Sequence, residues 1–170
     1  PDQGNKDKPE CDHEGEWVIQ LDRGEYDYGS GIAVNSSGDL YIVGTTNDVN
    51  STLAFITQIS ASGAILRTDS IDSVSPDPYS EGDGIAIDKD DNIITSGIIG
   101  TNGQGSSLWV RKTSPDNMVL WEIPSTIPLD LRAYGTNIAV DGDANIYVTG
   151  ATFFDDLWIG KFDPNGTLLW

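Results

Sequence analysis

The chain has 170 residues, and its 27 Asp and Glu against 9 Lys and Arg give a formal net charge of −18. That charge argues against binding nucleic acid or an anionic membrane surface, because both require basic residues. A single cysteine and a single histidine exclude an intrachain disulfide and a cluster of Cys and His metal ligands, and no apolar run reaches the ~18 residues of a membrane span.

The first predicted element is a polar leader at residues 1–16, which contains Cys11 and His13. A polar N-terminus without an initiator Met suggests a processed or trimmed chain. We interpret Cys11 as an inert thiol, with an intermolecular bridge and a lipid or haem attachment as the alternatives.

An apolar segment follows the leader and predicts a β-strand. It stands before the first repeat as Trp121–Pro124 stands before the third, so we predict that residues 17–30 form the outermost strand of a blade. We also predict that this strand is an interaction strand, donated to another copy of the chain. Its residues are Trp17, Val18, Ile19, Gln20, Leu21 and Asp22.

Three similar segments then begin at Gly31, Gly84 and Asn137, 53 residues apart, and each ends in a glycine 13 residues after its start. Each contains a short uncharged strand, a polar hairpin turn and a returning strand, and a third strand, a turn and a further strand follow. Four antiparallel strands, the innermost apolar and the outermost polar, are typical of a β-propeller blade. A β-solenoid is the alternative, but this repeat is too long for one solenoid coil.

The repeat predicts an all-β chain of three β-propeller blades that form an incomplete ring. The blades are residues 31–83, 84–136 and 137–170, and the last lacks its outer strand, which residues 17–30 would complete. Propellers typically need ~4 to 8 blades. The expected partners are therefore further copies of the chain, in a closed ring or a filament, or the remaining blades of a longer chain.

These residues resemble the SBBP family of bacterial β-propeller repeats. Its G-I-A-V-D-x-x-G-N-x-Y-V-T-G core matches Asn137 to Gly150, and its K-x-[DS]-P-x-G-x-x-x-W segment matches Lys161 to Trp170. The second unit departs from the core at Ile94, and the first has Gln58 where Lys is usual. NHL-type repeats are similar in the first hairpin. The resemblance implies a secreted or cell-surface bacterial propeller, and it implies no reaction and no catalytic residue.

Acidic side chains in the hairpin turns have the D-x-D-x-N spacing with which oxygen ligands converge on Ca²⁺. The alternative is a turn in which Asp and Asn bond their own backbone. A weaker set in the first unit is Asn35, Ser37 and Asp39. The candidate calcium ligands are Asp141, Asp143, Asn145, Asp88, Asp90 and Asn92. No cofactor is otherwise expected.

Catalysis is not predicted, because no Ser-His-Asp arrangement, phosphate-binding loop or zinc ligand set is present and the paired Asp155 and Asp156 lie in a polar loop. Repeated Trp and Tyr residues favour blade packing over a glycan-binding surface. We therefore predict a non-enzymatic, extracellular structural or protein-interaction module. The alternatives are a glycan-binding or adhesive module that uses calcium, and a fragment of a propeller enzyme of the lyase or lactonase type.

Overall fold

The computed structural model describes residues 17–48, 51–71, 78–101, 105–123, 134–151 and 156–170. The leader at residues 1–16, with Cys11 and His13, and Asp155 lie outside the described residues. Within those ranges all regular secondary structure is β. No helix capable of crossing a membrane occurs in the described ranges.

The strands follow the repeat along the chain. Those of the described residues are β1 (Tyr26–Val34), β2 (Leu40–Asp48), β3 (Ser51–Ile59), β4 (Ile65–Ile71), β5 (Pro78–Ile87), β6 (Ile93–Thr101), β7 (Gly105–Thr113), β8 (Val119–Ile123), β9 (Tyr134–Val140), β10 (Ile146–Ala151) and β11 (Leu157–Phe162).

Consecutive strands pair antiparallel and form three successive units. β1 to β4 make the first unit, β5 to β8 the second, and β9 to β11 the third. A single parallel pair, Thr52 with Tyr79, joins β3 to β5. The second strands begin at Leu40, Ile93 and Ile146, so the structure repeats with the period of the sequence.

Apolar side chains alternate along strands such as β10, where Ile146 and Val148 are buried and Tyr147 is half-buried. This alternation follows from the pleat, which directs successive side chains to opposite faces of a sheet. Tight turns with a residue at positive φ, such as Gly38 and Ala144, connect the strands.

The boundary predicted at residue 30 is wrong. Tyr26 to Ser30 belong to β1, which runs on to Val34 and pairs with β2 from Tyr26↔Asn47 to Val34↔Leu40. A bulge between Gly29 and Gly31 absorbs a register shift, so the strand bends there instead of ending. Residues 26–30 are therefore part of the first strand of the first unit.

Residues 168–170 lie along the outer edge of the third unit. Leu168 forms a bridge with Phe162, the Leu169 amide donates to the Lys161 carbonyl at 2.8 Å, and the Lys161 amide donates to the Trp170 carbonyl at 2.9 Å. Residues 168–170 thus pair with the last residues of β11 without forming a regular strand. From Leu157 to Gly160, β11 has no strand partner on this side among the described residues.

The buried core lies between the units. One cluster joins the first unit to the second through Tyr41, Val43 and Ile56 against Ile85 and Trp109. The other joins the second unit to the third. It comprises Leu108, Val110, Ile123, Ile138, Val148 and Phe162, together with Ile94 and Ile146. The chain is therefore an all-β protein with a propeller-type repeat, whereas the blade count and ring closure stay predictions.

Candidate interaction surface

Pairing register defines which residues of the three units are equivalent. In the third strands, Ile56 pairs with Val43, Val110 with Ser96 and Ile159 with Thr149, and these three occupy one repeat position. In the first strands, the corresponding position is held by Ile32, Ile85 and Ile138.

Burial at these positions depends on whether a neighbouring unit covers them. Ile85 faces the first unit and is 8% exposed, whereas Ile32 of the first unit is 62% exposed. Val110 faces the third unit and is 0% exposed, whereas Ile159 is 50% exposed. The residue types are those of a buried junction, and Ile32 and Ile159 differ in that no neighbouring unit among the described residues packs against them.

We call the two exposed sheet faces the leading face and the trailing face. The leading face is formed by Ile32 and Val34 of β1, two residues apart and therefore on one side of the sheet. The trailing face is formed by Leu157 and Ile159 of β11. Exposed apolar faces of this kind mark interaction surfaces in soluble proteins.

At two places a tryptophan packs on a turn of the unit that follows it in the chain. The Trp121 indole lies against Gly166, whose added Cβ would stand 2.9 Å from the ring, and its Nε1 donates to the Pro164 carbonyl at 3.0 Å. Trp17 lies against Gly63 in the same manner, at 2.9 Å. Both glycines have positive φ, 85° and 84°, which brings backbone and ring close together.

Trp17 belongs to the segment that we predicted as a donated strand. In the structure Trp17 contacts the first unit of its own chain, and Val18 is the one member of the segment with a β-bridge in the described residues. Val18 is 70% exposed. Donation of Trp17 to Asp22 to another copy stays a prediction.

The candidate calcium ligands lie in the hairpin turns that precede β6 and β10. The Asp141 carboxylate accepts hydrogen bonds from the Asp143 and Asn145 amides and from the Tyr147 hydroxyl at 3.0 Å. Hydrogen bonds from the Asn145 side chain, with those from Tyr147 and the backbone, lower the pKa of Asp141 to about 2. These are the contacts of an Asx turn.

Asp88 makes the same turn contacts with Asp90 and Asn92 and also a buried ion pair with Lys112, Nζ to Oδ2 at 2.8 Å. Burial raises the pKa of Asp88, but the hydrogen bonds from Lys112 and Asn92 outweigh it and leave the pKa below its ordinary value. Among the described residues, no three His, Cys, Asp or Glu side chains gather where they could hold a metal ion. Calcium binding stays a prediction.

Two features were not predicted from the sequence. One is the Asp88–Lys112 pair, and the other is Arg67 at the position that Trp121 holds in the second unit. Arg67 pairs with Gln58 as Trp121 pairs with Lys112, so it holds the tryptophan position of the first unit. An alignment of the fourth strands could have shown this departure.

Comparison with known proteins identifies the repeat. Residues 16–50 match the family model of the SBBP β-propeller repeat. The match confirms the family resemblance and covers the start of the first unit. A crystal structure of a protein of unknown function from Bacteroides caccae is similar at 9% identity and a TM-score of 0.35, over 94% of this chain and 72% of that chain. No curated protein matches the chain.

The contact between Trp121 and the turn of the third unit can be tested at Gly166. Gly166→Ala is expected to lower the free energy of unfolding by about 1 to 2 kcal/mol, because alanine at positive φ is strained, and more if the indole is displaced. The measurement is equilibrium denaturation by urea.

Gly142→Ala is the matched control, because a Cβ added at Gly142 meets nothing within 4 Å. We expect it to change the free energy of unfolding by no more than about 0.5 kcal/mol. Equal effects of the two substitutions would contradict the described contact at Gly166.

Proposed function

We propose that this chain is a non-enzymatic protein-interaction module, extracellular or at the cell surface, that associates head to tail with further copies of itself. One observation carries the proposal: the exposed apolar residues of the leading and trailing faces hold the repeat positions that are buried at the two internal junctions. The SBBP-type repeat supports an interaction role.

The leading face of one copy and the trailing face of another are complementary in position. Ile32 of the first copy would take the place of Ile138 at the junction of the second and third units. Ile159 of the second copy would take the place of Val110. A contact between two different faces of identical chains is heterologous, so it produces a ring or a filament according to the rotation between copies.

The predicted donated strand fits the same arrangement. In β8, Glu122 and Ile123 pair with Arg111 and Val110 of β7. Val18 and Ile19 follow Trp17 as those two residues follow Trp121, so they would pair with Gly160 and Ile159 of another copy once Trp17 takes the place of Trp170 beside Lys161. Backbone hydrogen bonds would then extend the edge of β11 beyond Lys161. No cofactor takes part in this association.

Two variants with opposite defects test the direction of association. Ile32→Asp places a charge on the leading face and Ile159→Asp places one on the trailing face. We expect each variant alone to associate about 30-fold more weakly than the natural chain or worse, because a buried unpaired charge at an interface centre costs ~2 kcal/mol or more. Sedimentation velocity measures the particle mass.

A mixture of the two variants keeps one intact pair of faces and is expected to form two-chain particles and nothing larger. Met118→Asp is the control, because Met118 is 62% exposed in a turn and lies outside both faces. Association of both single variants at the strength of the natural chain would refute the head-to-tail arrangement.

A further inference from the structure

The junction between the first and second units contains a cavity of about 210 Å³. Its walls combine apolar side chains with charged and polar ones. The lining residues used below are Ile56, Arg67, Asp69, Ile71, Arg111 and Asn117.

The cavity lies at the position that a tryptophan side chain fills in the two contacts between a tryptophan and a glycine turn. Trp121 lies on the Gly166 turn, and Trp17 lies on the Gly63 turn. At the corresponding place between the first and second units, Arg67 replaces the tryptophan and Asn117, at φ 67°, replaces the glycine. Both residues line the cavity, so the indole that fills the other two contacts is absent from this one.

A second apolar residue is also replaced. Ile123 pairs with Val110 and is buried at the second junction, whereas Asp69 pairs with Ile56 at the equivalent position. Arg67 Nε and Asp69 Oδ2 form an ion pair at 2.6 Å. A partly buried ion pair in place of packed apolar residues is often neutral or unfavourable for stability. Departures of this kind from local packing rules occur at functional sites.

The charged residues that line the cavity are two arginines and one aspartate. The chain has four arginines and a net charge of −18, yet two of the arginines, Arg67 and Arg111, line this one cavity. Arg111 binds Glu122 through Nε at 2.9 Å and lies 6.0 Å from the centre of the Trp109 ring. A guanidinium has five N–H donors, so each arginine can bind its carboxylate partner and a second acceptor as well.

From this geometry we infer a binding site for a small planar aromatic carboxylate at the first junction. The aromatic ring occupies the place of the missing indole, between Ile56 and Ile71 and above the Asn117 turn. The carboxylate binds the Arg67 and Arg111 guanidiniums. The volume is sufficient, because a cavity of ~150 Å³ holds a benzene ring.

Indole-3-acetate is the probe, with indole and tryptamine as the neutral and cationic counterparts. We expect indole-3-acetate to bind with a Kd on the order of 1 mM or below, to bind about tenfold more tightly than indole, and to shift the amide resonances of Asn117 and Thr113. Tryptamine is expected to bind more weakly than indole. The measurement is a ¹⁵N-edited NMR titration of the full chain.

Two variants distinguish a loss of ligand binding from a loss of folding. Arg67→Trp combined with Asn117→Gly restores the arrangement of the other two contacts, so it is expected to abolish binding and raise Tm. Loss of binding with a gain in stability cannot result from unfolding. Arg111→Gln is expected to weaken indole-3-acetate binding about tenfold and to leave indole binding unchanged.

Three results would overturn the inference: no shift of these resonances by ~10 mM indole-3-acetate, binding to the filled variant as tight as to the natural chain, or tighter binding of tryptamine than of indole-3-acetate. None of them bears on association between copies, since the cavity lies at an internal junction away from both exposed faces.

Discussion

Lys112→Met is expected to lower the free energy of unfolding by about 3 to 5 kcal/mol, because it leaves the buried Asp88 carboxylate without its cation. The two side chains are 7% and 1% exposed, and their charged atoms are 2.8 Å apart. A carboxylate at this depth cannot recover its lost partner from solvent, so the penalty is that of an unpaired buried charge. Urea denaturation at neutral pH measures it.

A neighbouring pair provides the control for this prediction. Lys89 and Asp90 form an ion pair at 2.9 Å in the same turn, but both side chains are about two-thirds exposed. Lys89→Met is expected to cost far less than Lys112→Met, because solvent screens an exposed ion pair. Asp88→Asn added to Lys112→Met removes the orphaned charge and keeps the turn acceptor, so it should recover part of the loss. Equal costs at Lys89 and Lys112 would contradict the burial of the Asp88 pair.

Trp109→Ala is expected to cost about 3 to 5 kcal/mol. Trp109 is fully buried in the cluster that joins the first unit to the second, and its Nε1 donates to the Ile98 carbonyl at 3.1 Å. It also lies against Gly97, the residue with which it pairs across β6 and β7. The substitution therefore removes a large apolar contact and a buried hydrogen bond together.

Trp158 is the repeat equivalent of Trp109 in the third unit, where it pairs with Gly150. It is half-buried, so Trp158→Ala is expected to cost clearly less than Trp109→Ala. The comparison holds the residue type and the repeat position constant and varies the neighbouring unit. Thermal or urea denaturation of both variants provides the measurement, and equal losses would contradict the burial of the first junction.

The repeat itself could be predicted because each hairpin has local signals. Glycine or an Asx residue closes each turn, and short apolar strands such as Ile85 to Ile87 stand between polar turns. Their spacing then predicted the strand order, and the resemblance of the core motif to SBBP repeats indicated the family. The error at residues 26–30 arose because β1 continues through a bulge at Gly29, and a bulge is set by pairing with β2 and not by local propensity.

The candidate surfaces could be predicted less well, because they depend on contacts between units. Ile32 and Ile85 are the same residue type at the same repeat position, and only packing makes one exposed and the other buried. The Asp88–Lys112 pair joins a turn to the strand β7, and the cavity at Arg67 is lined by residues of six strands and a turn. Long-range contacts of this kind leave no local pattern in the sequence.

We propose that the exposed faces repeat the internal junctions and therefore bind further copies of the chain. The mass of the natural 170-residue chain in solution, measured by sedimentation over a range of concentrations, tests it most directly. We predict particles that grow with concentration above the 18.3 kDa of one chain. A single 18.3 kDa species at every concentration would contradict the claim.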